Sequence, residues 1–177
     1  IRLTFYEYGS ARAANLVQEE ELDVALVNLS QTDPEKFHML PIGRDHFVIA
    51  VDPGHPLAAR KSVTLEELDG RPLVMYNTDS VQNHVIRNRF DALGIAPNIL
   101  IYTSQIHTMK SMIHNNTCVS FFYASLLQDH PDIVGVPPEP RIEQKVGLIW
   151  RKGKYTPAGV EAFISFVKDY PLFPEEP

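Results

Sequence analysis

The residues best equipped for chemistry are few and scattered. His55 opens the stretch HPLAARKSVTLEELDGRPLV, residues 55–74, which lies between two apolar runs and invites a catalytic or metal reading. It precedes Pro56, which pushes it toward extended backbone, so it reads as part of a turn. His107 and His114 flank Lys110 in one helical pattern. Seven residues at the helical rise put the two imidazoles about 10.5 Å apart, too far to share one metal ion. They read as a polar helix face, and no metal is expected. Cys118 is the single cysteine and opens the apolar run CVSFFY, as a core thiol would and a nucleophile would not. Glu19-Glu20-Glu21 ends a helical stretch, where negative charge is unfavourable, and reads as a solvated face with no catalytic pair. The chain has no G-x-S-x-G, no G-x-x-x-x-G-K-[ST] and no G-x-G-x-x-G, so nucleophile elbow, phosphate loop and dinucleotide fingerprint are all missing. No catalytic residue and no cofactor is expected, and the chain does not read as an enzyme.

A second pattern is more informative. Polar residues collect where strand-like runs end and helical patterns begin: Asn28 closes LDVALVN, Asn77, Thr78 and Ser80 follow PLVMY, and Thr103, Ser104 and Gln105 follow NILIYT. In an open α/β sheet such positions converge on a ligand site, and helix N-termini offer N–H groups to an anion. Together with Ser10, at the start of the first helical pattern, they are the candidate ligand-binding residues. The plainer alternative is that Ser10, Ser80 and Ser104 only cap helices.

The elements that would position these residues follow from periodicity. IRLTFYEY (1–8) is rich in β-branched and aromatic residues and reads as a strand. A helix over SARAANLVQEEE and a strand over 22–28 complete a β-α-β unit. Strands are expected at 37–43 and 46–51, with Gly43-Arg44-Asp45 as a polar break and possible hinge. TLEEL has Thr64 and Glu67 in capping-box spacing. Strands at 72–76, 98–103, 118–123 and 143–151 alternate with helices over 80–93, closed by Gly94, and over the SQIHTMKSMIHN stretch. VPPEPR reads as a rigid connector, and Thr156-Pro157 as the start of a final helix. The alternation predicts an α/β fold with mostly parallel sheets. The breaks near 43–45 and 137–141 predict two lobes, 1–44 with 141–177 and 45–140, joined by two crossings.

The chain's 177 residues suit two small lobes, and 44% hydrophobic and 21% charged residues describe an ordinary globular protein. No apolar run is long enough for a membrane helix, and no membrane partner is expected. One cysteine suits a reducing compartment, which points to the cytoplasm. With 16 basic and 22 acidic residues the net charge is −6, a poor match for nucleic acid. The chain opens at Ile1, without an initiator methionine and directly in a strand-like run, which suggests a fragment.

The ordered set ELDVALV (21–27), LPIGRDHFVIAV (40–51), HPLA (55–58), VTLEELDGRPLV (63–74), a helix ending F-x-x-L-G (90–94) and TS-x-x-x-x-x-x-MI from 103 resembles the effector-binding domain of LysR-type transcriptional regulators. The resemblance runs from residue 1 to about 170. It implies two Rossmann-like lobes joined by two crossover strands, like type II periplasmic binding proteins, with a small, anionic effector in the cleft and Asn28 at a ligand position. It also implies a homodimer or tetramer paired through elements that include the first strand and the helix at 80–93, and DNA contact only through a winged helix-turn-helix that precedes the domain. The family's first strand and helix, and a loop that usually contacts ligand, are not in this chain. HNNTCVS (114–120) stands where the family has a glycine-rich turn, so a different backbone is expected there. A solute-binding protein, or an α/β enzyme acting on a small organic acid, remains the alternative.

Overall fold

The structure is a computed structural model, and it describes residues 2–169. The chain divides into two compact units, one built from residues up to Arg44 together with those from Gln144 onward, the other from Asp45–Glu143.

In the first unit, α1 (Ser10–Gln18) buries Ala13, Leu16 and Val17, the apolar positions of its helical pattern. Ala13 and Val17 pack with Ala25, Val27, Leu29, Phe37 and Ile149 in one cluster. Strand β1 (Ala25–Asn28) pairs antiparallel with β9 (Ile142–Arg151), from Ala25 opposite Ile149 to Asn28 opposite Val146. The unit ends with α5 (Ala158–Asp169), which starts one residue later than Pro157 predicts, the Pro157 carbonyl accepting from the Glu161 N–H.

Two expectations fail here. Residues 2–9 form no strand, and Phe5 is 79% exposed. Strand propensity reflects packing on a paired surface, and among the described residues this segment pairs with no other strand. The predicted interruption between two strands at 43–45 is also absent, because β2 runs unbroken from Phe37 to Val51, although the boundary between the two units falls within it, between Arg44 and Asp45. Gly43, Arg44 and Asp45 lie in its half-exposed part, where polar side chains reach water without leaving the extended conformation, and burial becomes complete only from Phe47.

The second unit begins with the end of β2, which pairs antiparallel with β6 (Ser120–Tyr123) and β7 (Val134–Val136). The short strands β3 (Val63–Thr64) and β8 (Pro138–Glu139) pair in parallel, the latter inside the predicted connector. Strands β4 (Pro72–Met75) and β5 (Asn98–Tyr102) also pair in parallel, and Leu73 bridges in parallel to Val119. Among the described residues the antiparallel pairs therefore each involve β2 or β9, and the βα crossover through α2 gives the parallel pair of β4 and β5. Between β4 and β5 lies α2 (Val81–Ala92); between β5 and β6 lies α3 (Ile106–His114); and a short α4 (Ala124–Leu127) follows β6.

Phe47, Ile49, Leu73, Ile86, Phe90 and Phe121 centre one core of this unit; Val74, Met109, Ile113 and Phe122 centre another. Gly94 follows α2 with φ 69°, as its place in the pattern predicts. At 114–120 the left-handed residue is Asn116, φ 51°, whose N–H donates to the Ile113 carbonyl. Asparagine tolerates that conformation, so HNNTCVS closes the helix without glycine. The Thr64–Glu67 pair forms half a capping box: Glu67 accepts from the Thr64 N–H at 3.0 Å, but only a 3-10 turn, Glu66–Leu68, follows.

Candidate functional site

In the first unit the sequence brings Ser10 and Asn28 together. The N-cap of α1 is Gly9, with no side-chain cap, so Ser10 is not the cap that its position suggests. Its hydroxyl instead accepts from the backbone N–H of Asn28 at 3.1 Å. Asn28, 6% exposed, is the last residue of β1. Its Oδ1 accepts from the Ser30 N–H at 2.8 Å, capping a 3-10 turn, and its Nδ2 donates to Gln144 Oε1 at 2.7 Å. The Ser30 hydroxyl donates to the same Gln144 oxygen at 3.1 Å, and Thr32 Oγ1 donates to the Asn28 carbonyl at 3.1 Å.

Gln144 is a residue that the sequence reading overlooked. It is 4% exposed on β9. The signal was present: Ile142 and Gln144 share one face of an alternating strand, and a carboxamide at an inward position needs hydrogen-bond partners.

The other six candidates lie in the second unit, on two segments that follow the parallel strands β4 and β5. The Thr103 N–H donates to the Met75 carbonyl at 2.9 Å, so the segments share the carboxyl end of that strand pair. Ser80 is the N-cap of α2, accepting from the Asn83 N–H at 3.1 Å, and Asn83 Nδ2 reaches back to the Tyr76 carbonyl at 2.7 Å. Burial pushes the Tyr76 hydroxyl up, which keeps it neutral. Asn77 and Thr78 are exposed in the turn before Ser80, with the carboxylate of Asp79 between them and the cap.

The N-cap of α3 is Gln105 and not Ser104, and no side chain caps that helix. Thr103 Oγ1 accepts from the Gln105 N–H at 3.1 Å, and Gln105 Oε1 accepts from the Thr108 hydroxyl at 3.2 Å. Ser104 is exposed. The arrangement presents neutral donors beside the N-termini of α2 and α3, a chemistry suited to holding the oxygens of a small polar ligand.

His107 is exposed, and other reactive residues have structural partners. His55 Nδ1 accepts from the Leu57 N–H at 3.1 Å, capping the turn Pro56–Ala59, and burial lowers its pKa. His114 is more than a solvated helix face: its Nε2 lies 2.8 Å from Asp132 and its Nδ1 3.5 Å from Asp52. Lys110 adds a 3.1 Å contact to Asp132. Because the two ring nitrogens address different carboxylates, the ring cannot join both in ligating one ion. Among the described residues no group of three or more ligating side chains could hold a metal. Glu20 also departs from a purely solvated reading. It takes a left-handed φ of 68° and pairs with Arg151 and Lys154. Cys118 is 5% exposed, and burial pushes its thiol up to about 11.

No helix among the described residues is long and apolar enough to cross a membrane. The family described as LysR substrate binding domain matches residues 1–171. The HTH-type transcriptional regulator YwbI of Bacillus subtilis (strain 168) is 28% identical over 167 residues, covering 93% of this chain and 55% of that protein. The chain thus spans about half the length of that curated relative. Two solved structures share the fold at a TM-score of 0.80: the Synechocystis PCC6803 CcmR regulatory domain in complex with 2-PG and the effector binding domain of QuiR in complex with shikimate. They are 14% and 20% identical; the matches cover 90% and 93% of this chain and 78% of each neighbour. The type II periplasmic-binding-protein-like architecture is therefore shared, and the match over residues 1–171 places this chain in the LysR substrate-binding domain family.

Proposed function

We propose that this chain is the effector-sensing part of a LysR-type transcriptional regulator, and that it binds a small anionic metabolite. The observation that carries this is the pair of polar segments, 77–80 and 103–105, tied together at the carboxyl end of β4 and β5 by the Thr103–Met75 hydrogen bond. Asn77, Thr78, Ser80, Thr103, Ser104 and Gln105 would contribute contacts there, and Ser10 and Asn28, joined by the hydrogen bond from the Asn28 N–H to the Ser10 hydroxyl, are proposed as ligand contacts of their own unit. Two neighbours in fold carry small oxygen-rich ligands, 2-PG and shikimate, which supports a ligand of that class.

The output is a shift in population between conformations, limited by the effector's differential affinity for them, with no turnover. DNA contact belongs to a part of the regulator outside this chain, because a net charge of −6 gives poor purchase on phosphates. The regulator works in the cytoplasm as a homo-oligomer. A thiol-switch sensor is disfavoured by Cys118, which is buried, single in the chain and held as a thiol.

The test is a thermal-shift screen with shikimate, 2-PG, pyruvate, succinate and citrate. A binding acid should stabilise the protein by about 2.7 kcal/mol at a hundredfold excess over its dissociation constant. Thr78→Val with Ser104→Ala, both at exposed positions, should abolish the shift and leave the unliganded melting temperature near the parent's. Shifts only with cationic or apolar compounds, or an unchanged shift in the double variant, would reject the assignment.

A further inference from the structure

The ladder between β1 and β9 stops at Asn28 opposite Val146. Continued by two residues it would set Ser30 opposite Gln144, but the chain turns into the 3-10 segment Leu29–Gln31 instead. Backbone pairing ends, and side chains take over. Gln144 Oε1 accepts from both Asn28 Nδ2 and the Ser30 hydroxyl, while Asn28 Oδ1 accepts from the Ser30 N–H. The Ser30 N–H at one end and the Gln144 carboxamide oxygen at the other thus together fix which way the Asn28 amide points. Reversing that amide would set two carbonyl oxygens against each other in a buried place, with Asn28 6% and Gln144 4% exposed.

Gln144 also has a special place along the chain. It is the first residue of this unit after the contiguous unit ends at Glu143. A change of backbone torsion at that junction carries the Gln144 side chain with it, because Cβ direction follows the strand.

We infer that Gln144 is a positioning residue for the proposed effector site: it sets the carboxamide of Asn28 and couples it to the strand on which the chain crosses from one unit to the other. The inference rests on the effector reading and assigns the site a transmission element. An effector that draws on Asn28 or Ser30 changes the demand on Gln144 Oε1, and β9 responds at the crossing. In the reverse direction, the torsional state of the crossing sets how well Asn28 is presented.

The test uses Gln144→Met, which keeps length and removes the acceptor, and Gln144→Glu, which keeps an acceptor oxygen in either protonation state. Two readouts separate positioning from mere support. In proton–nitrogen NMR, the Asn28 side-chain amide pair is identified by its loss in Asn28→Asp. It should shift and exchange faster in Gln144→Met and return toward its original position in Gln144→Glu. In titration calorimetry on folded protein, with whichever of shikimate, 2-PG, pyruvate, succinate or citrate binds the parent, Gln144→Met should weaken binding roughly tenfold, the loss expected for one misplaced donor. Gln144→Glu should recover most of it. An unmoved Asn28 amide signal in Gln144→Met, or parental affinity in that variant, overturns the inference. If the parent binds none of the five acids, the effector reading fails, while the amide signal still decides whether Gln144 holds Asn28.

Discussion

Gly147 tests the packing of β9 most directly. An added Cβ there would lie 2.5 Å from the Leu40 carbonyl oxygen and 2.7 Å from Leu29 Cδ1. Carbon and oxygen ordinarily approach to about 3.3 Å, so Gly147→Ala must open a gap of roughly 0.8 Å. The obstruction is backbone, and β9 sits between β1 and β2, so room can come only from moving strands. Lengthening a ladder bond from about 2.9 Å by that amount breaks it. Two such bonds at about 1 kcal/mol each, with the displacement of Leu29, bring the expected cost to about 2–3 kcal/mol. The melting temperature should fall by roughly 4–12 °C.

Gly135→Ala is the control. The three atoms nearest its Cβ belong to side chains, Leu127 Cδ1 at 2.8 Å, Val48 Cγ2 at 2.9 Å and Val48 Cβ at 3.3 Å; the two closest can turn aside and the third is tight without overlapping, so about 1 kcal/mol is expected. Trp150, the single tryptophan, lies three residues from Gly147 in the same unit and reports that unit by fluorescence, while circular dichroism reports both units. A Gly147→Ala protein as stable as the parent, or one less perturbed than Gly135→Ala, would refute the steric account.

Ser80→Ala should lower stability by about 1 kcal/mol in urea denaturation, because the Asn83 N–H loses its acceptor, and Ser80→Asp should retain most of it. The carboxyl of Asp132 is held down to about 2 by the His114 ring and the Lys110 ammonium. A depressed acid stabilises the fold above its unfolded pKa and stops doing so as pH falls through the folded value. The stability advantage of the parent over Asp132→Asn should therefore be full above about pH 5, fall steeply as pH approaches 2 and be gone near pH 1, as followed by denaturation across that range.

Much of the α/β order was readable because helical and alternating periods are local. Ala13, Leu16 and Val17 declared the inner face of α1, and Ser80 with Gly94 marked both ends of α2. What escaped depends on partners distant in sequence. Residues 2–9 have strand composition, but composition cannot say whether a neighbouring strand exists. The polar Gly43-Arg44-Asp45 could not reveal that β2 continues through them, since a half-exposed strand and a loop tolerate the same residues. Of the candidate site, strand-end polarity located the segments at 77–80 and 103–105. Individual roles depended on rotamers: Gly9 and Gln105 took the cap positions expected of Ser10 and Ser104. Gln144 escaped because its partners, Asn28 and Ser30, are more than a hundred residues away.

The division of the chain also has a consequence for the order of events during synthesis. The unit Asp45–Glu143 is one uninterrupted stretch, whereas its companion is assembled from both sides of it. The stretch can find its contacts as soon as it leaves the ribosome. The pairing of Asn28 with Val146 must wait for the later segment and close a loop of more than a hundred residues. Such distant closure is slow unless something shortens it, and the inserted unit, once folded, does so by replacing a long flexible loop with a compact body. Nascent chains halted before residue 144 should therefore contain a folded middle and an unfolded beginning, and protease should cut first within α1 and β1.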